Sequence, residues 1–110
     1  MIRAGADRGS VVAEFAVALP AVVIVLALGI GLLSASARHV RLQDAAADAA
    51  RLAARGESDG RALGAVTDAV AGASATIQQR EDLVCVTATA SAAPLPLVLS
   101  ASSCALAGGR

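Results

Sequence analysis

From Phe15 to Ala37 the chain carries no charged side chain, and that run constrains what the rest can be. At ~1.5 Å rise per residue it makes a helix of roughly 35 Å, enough to cross a ~30 Å hydrocarbon core with some tilt. One carboxylate, Glu14, sits near the start of the longer apolar stretch GSVVAEFAVALPAVVIVLALGIGLLSASA, five residues after Gly9. An unpaired carboxylate in lipid costs several kcal/mol, so an acid at the mouth of such a helix reads as a functional residue. Pro20, inside the run, removes one backbone hydrogen bond and is expected to kink the helix.

The segments on either side are polar and mostly helical in pattern. Residues 1–9 (MIRAGADRG) form a short leader with Arg3 and Arg8, expected to lack regular structure. After Ala37, strong helix formers continue to Arg55, and Gly56 is the expected C-cap. Val40, Ala47 and Leu52 with their neighbouring alanines suggest a shallow apolar face. Arg38, Arg41, Asp44, Asp48, Arg51 and Arg55 supply the wet one, with ion-pair spacings worth a few tenths of a kcal/mol. A break at residues 56–60 precedes a second helix expected over 59–71, with Leu63, Val66 and Val70 on one face.

Beyond Gly72 the period changes. Residues 75–78 and 83–90 read as strands around an Arg80-Glu81-Asp82 turn, because Val84, Val86 and Ala88 alternate with Cys85, Thr87 and Thr89. Ala93-Pro94-Leu95-Pro96 breaks the second strand, and residues 97–106 read as a third strand or an ordered edge. The expected class is α+β: a long N-terminal transmembrane helix extending into a soluble helix, then a short helix and a small antiparallel sheet of two or three strands. The expected segments are a leader (1–9), a membrane and assembly helix (10–37), its extension into water (38–56) and a small C-terminal region (57–110).

Composition narrows the function. With 110 residues there is room for one domain at most, and the part beyond the membrane run can bury only a thin core. Phe15 is the sole aromatic residue, which is poor material for an enzyme pocket. Net charge is zero and evenly spread, so nothing argues for nucleic acid. His39, the only histidine, stands among arginines, and with Cys85 and Cys104 it lacks metal-site spacing. No phosphate-binding glycine loop is present. We expect no catalysis, no cofactor and no metal. If the C-terminal region is exported, Cys85 and Cys104 are a candidate disulfide closing a loop of about twenty residues, worth roughly 3 kcal/mol; otherwise they are two idle thiols.

The motif with chemical content is Arg8-Gly9-Ser10-Val11-Val12-Ala13-Glu14-Phe15, followed by Leu19-Pro20. It resembles the leaders of type IV prepilins and, within that class, the TadE-like minor pilins or pseudopilins of tight-adherence (Flp-type) pili. The helical Arg/Asp/Ala stretch and the short strands are similar to small actinobacterial members. In that family Gly9 would be the residue before the cut, Ser10 the new N-terminus, Glu14 the fifth mature residue and Phe15 the aromatic after it. The resemblance implies processing by a prepilin peptidase and partners among other pilin or TadE-like subunits and pilus assembly platform proteins. It also implies a single-pass membrane position, N-terminus cytoplasmic and C-terminal region outside, and a structural role in a pilus. In a fibre the Glu14 carboxylate would pair with the free Ser10 amine of a neighbour.

Two features stand beside that reading. Arg3 and Arg8 precede the span while Arg38, Arg41, Arg51 and Arg55 come after it, so the positive-inside rule alone puts the C-terminal side in the cytoplasm. The resemblance requires the opposite orientation, and we adopt it. Ala35-Ser36-Ala37 is also an A-x-A site of the kind signal peptidase cuts. This alternative makes the mature protein a soluble secreted chain from Arg38; a third reading is a plain, uncleaved single-pass membrane protein.

Overall fold

The structure, a computed structural model, describes residues 4–108, with side chains from Gly9 onward. The elements run α1 (Ala4–Ala54), α2 (Asp59–Ala69), β1 (Ser74–Arg80), β2 (Leu83–Ser91) and β3 (Val98–Leu106). This is the expected α+β arrangement. Compactness divides the chain between Leu33 and Ser34.

The first unit is the apolar part of α1. Its large side chains from Val11 to Leu33 are all exposed, and none of the helix's most apolar stretch is buried by the protein. A helix apolar on every side is suited to burial in a membrane or among other protein chains, and this one is long and apolar enough to cross a membrane. The helix runs on through Pro20, which offers no N–H to the Ala16 carbonyl. It also begins at Ala4, so the leader residues 4–9 are helical rather than irregular as expected. Extending an existing helix adds one hydrogen bond per residue fixed, and the leader holds no proline to stop it. Met1 to Arg3 lie outside the described residues.

The second unit wraps a small sheet with what remains of α1 and with α2. The α1 helix stops in a Schellman turn: Gly56 N–H donates to Ala53 O and Glu57 N–H to Leu52 O, both at 3.1 Å, with Gly56 at φ +90°. That conformation suits glycine, as expected at this position. Ser58 caps α2 by accepting from Arg61 N–H at 3.2 Å, and α2 ends at Ala69, two residues short of the expected limit.

The sheet has order β1-β2-β3, antiparallel throughout, and residues 98–106 are a full third strand. Val84, Val86, Ala88 and Ala90 of β2 face the core and Thr87 and Thr89 lie half-buried on the other face, as the alternation predicts, whereas Cys85 on that face is buried. The outward face carries rows of hydroxyls. Ser74 lies 3.1 Å from Thr89, and Thr87 donates to Ser102 at 3.4 Å.

The core is made largely of alanine. Leu42, Ala45, Ala46, Ala49 and Ala50 of α1 meet Val66 and Ala62 of α2 and Val86, Ala88 and Ala101 of the sheet. This corrects the apolar face expected for α1: Val40 is exposed, and Ala47 and Leu52 are only half-buried. Where nearly every position is alanine, hydrophobic contrast around the helix is too weak to fix its phase. Leu42, fully buried, is the large side chain that sets it.

Candidate functional site

Gly9, Ser10, Glu14 and Phe15 lie on consecutive turns of α1. Ser10 and Glu14 are four residues apart and so share one helix face, about 6 Å apart along the axis. All four are exposed, Phe15 by 62%. Among the described residues Glu14 makes no ion pair. A Cβ built on Gly9 would meet nothing within 4 Å. Neither close packing nor a left-handed backbone therefore requires glycine there.

Cys85 and Cys104 sit in the other unit, directly opposite each other on β2 and β3, and are joined in a disulfide. Their Cα atoms are 4.0 Å apart, the narrow spacing of a non-hydrogen-bonded antiparallel pair. Ser100 and Ser102, at the same parity on β3, therefore point their carbonyls away from β2 toward the open edge of the sheet.

The α1 helix covers that edge. His39 Nε2 donates to Ser100 O at 3.1 Å, and Gln43 Nε2 donates to Ser102 O at 3.1 Å. The match is geometric: four residues of helix rise ~6 Å and two residues of strand ~6.8 Å. The carbonyl acceptor fixes the His39 tautomer with its proton on Nε2. Farther along, Gly108 N–H donates to Ala54 O, so α1 and β3 run side by side in the same direction. Arg38 Nε donates to Ser91 O at 2.8 Å and its Nη2 to Ala71 O, tying the ends of β2 and α2 to the helix. Sequence reasoning missed these contacts of Arg38, His39 and Gln43. They join residues 33 to 61 positions apart, and nothing local marks them.

The second unit carries a hollow of about 420 Å³ lined by Asp48, Arg51, Leu52, Arg55 and Ala65. A polar hollow of about 280 Å³ is lined by Arg38, Arg41 and the end of α2, from Asp68 to Ala71. Among the described residues no three His, Cys, Asp or Glu side chains gather as metal ligands.

The family model of the TadE-like protein matches residues 9–51. Over those residues, 43 of 110, the chain is similar to TadE-like proteins. No curated protein and no solved structure matches the chain. The TadE-like segment opens at Gly9, takes in Glu14, Phe15, Pro20 and the whole uncharged run, and closes on the last turn of α1. It also contains Arg38, His39 and Gln43, the residues through which α1 grips the sheet. The α2 helix and the three strands lie outside it.

Proposed function

We propose that this TadE-like chain is a structural minor pilin or pseudopilin of a Flp-type pilus, made as a precursor and cut after Gly9 by a prepilin peptidase. The observation that carries the reading is the coincidence of three boundaries. The TadE-like segment starts at Gly9, an exposed carboxylate comes five residues later, and the uncharged run begins at the next residue. The mature chain would hold to the membrane by residues 11–37 and act without catalysis. Other pilin-like subunits and the assembly platform would be its partners. The disulfide supports an exported C-terminal unit, because such bonds persist outside the reducing cytoplasm.

Local stability also favours a cut at Gly9 over one after Ala37. Both bonds lie in α1, and a protease needs the backbone open. Gly9 is near the N-terminal end of the helix, where fraying is cheap. Ala37 is mid-helix, next to an arginine held by two carbonyls.

Because a side chain at Gly9 has open space, Gly9→Leu is expected to fold and insert normally. Bulk in a subsite shaped for glycine should slow processing by about tenfold or more. Mass spectrometry of the membrane fraction would then show uncut precursor accumulating. Normal cleavage of Gly9→Leu would remove Gly9 from the processing site.

A further inference from the structure

Eight consecutive apolar residues run from Ala92 to Leu99, and six of them, Ala92 to Leu97, join β2 to β3. Their backbone is nearly self-sufficient. Ala92 N–H donates to Leu97 O, Leu95 N–H to Ala92 O and Leu97 N–H to Leu95 O, at 2.8–3.0 Å. Pro94 and Pro96 have no N–H to satisfy. From Ala92 to Leu97 only the Ala93 donor has no bond inside the loop. A loop that needs so little water for its backbone is suited to an apolar surrounding, where each unpaired donor costs several kcal/mol.

Its side chains point the same way. Leu97 is 46% and Val98 76% exposed, and no charged residue occurs from Leu83 to Gly109. C-terminal to the uncharged run, the exposed large apolar residues among those described are Val40, Leu83, Leu97, Val98 and Leu106. Three of these five adjoin Arg38, either along the helix or through the loop.

Arg38 sets the level of the loop. It is the first residue after the uncharged run, so a helix that spans a bilayer delivers it to the headgroup layer. Its Nε bonds Ser91 O, at the residue that leads into the loop. The loop is therefore held beside Arg38, at the C-terminal end of the uncharged run. Arg38 and Arg41 add two cations there, the charge that anionic headgroups attract.

We propose that the 92–97 loop and the adjoining Val98 are a second membrane contact, with Leu97 and Val98 seated at the boundary of headgroups and acyl chains. This rests on the membrane anchoring proposed above, and the occupant is the bilayer that the same chain spans.

The protein contains no tryptophan or tyrosine, so one introduced tryptophan reports alone. Leu97→Trp in the full chain, reconstituted in phosphatidylcholine vesicles with brominated acyl chains, is expected to emit blue-shifted light and to be quenched. Ile24→Trp in the span gives the reference for full quenching. Thr76→Trp, on the outer face of the sheet, gives the reference for water. Val98→Trp repeats the measurement should Leu97→Trp disturb the loop. Water-like emission without quenching at both loop positions, with Ile24→Trp quenched, overturns the loop contact alone. If Ile24→Trp is unquenched as well, the membrane anchor falls and the loop contact with it.

Discussion

Glu14→Ala is expected to leave the protein in the membrane, cut at its normal site, and to remove it from pili. The acid sits near the end of the uncharged run, so removing it makes insertion easier rather than harder. What is lost is a partner for a charge. After cleavage at Gly9 the Ser10 amine is free and mostly protonated at neutral pH, since α-amines have pKa values near 8 (roughly 7.7–8.0). Two opposite charges in an apolar bundle stabilise it only when each has the other within reach. In the proposed fibre, stacking in register would meet that condition between neighbouring subunits, and the alanine variant would leave an amine buried alone. Glu14→Gln separates charge from size and should fail in the same way. Immunoblots of sheared pili and of membranes measure both effects. Glu14→Ala present in pili at the normal ratio would end the role assigned to this carboxylate.

The second large effect is on stability. Replacing both cysteines, Cys85→Ala with Cys104→Ala, is expected to lower the unfolding free energy of the C-terminal unit by about 3 kcal/mol, from the entropy of a loop closed over about twenty residues. Ordinary domains have only about 5–15 kcal/mol in total. This unit builds its core from alanine and a few valines, each burying little area, and its largest fully buried side chains are Leu42, Val66 and Val86. A loss of that size should make the unit open to protease at growth temperature. Limited proteolysis of the detergent-solubilised full chain, with and without reductant, would show it. Equal resistance in both conditions would mean that the ladder between β2 and β3 suffices without the bond.

How much of this was legible in the sequence depends on the distance between the residues involved. The uncharged run, the Gly56 stop and the alternation in β2 are local patterns, and each appears in the structure where the sequence places it. The third strand was half legible: Leu99, Ala101 and Ala105 alternate with small polar residues, which weakly mark a buried face. The phase of α1 was not legible, because alanine at position after position leaves Leu42 as the only strong marker. Nor was the edge of the sheet. His39 stands among arginines with nothing local to give it a partner, yet it bonds a strand carbonyl 61 positions away, beside Gln43 doing the same one helical turn later. Such contacts arise from the register of β3, which the disulfide pair fixes and no nearby residue announces.

The candidate site behaved in the opposite way. Gly9, Ser10, Glu14 and Phe15 are adjacent in sequence, so the sequence alone brings them together, and the helix adds only which of them share a face. In the proposed function their chemistry concerns other molecules: a peptidase at Gly9 and a second subunit at Glu14. The open space around Gly9 fits that division, since nothing within the chain asks for glycine there.

The most direct test of the account is the intact mass and N-terminal sequence of the protein recovered from the membranes of its own host. The proposed function predicts a chain that begins at Ser10 and carries one disulfide. A chain beginning at Arg38 would instead be a secreted soluble protein, with Glu14 discarded along with the helix. A chain beginning at Met1 would be an uncut anchor, and either result would contradict the pilin reading.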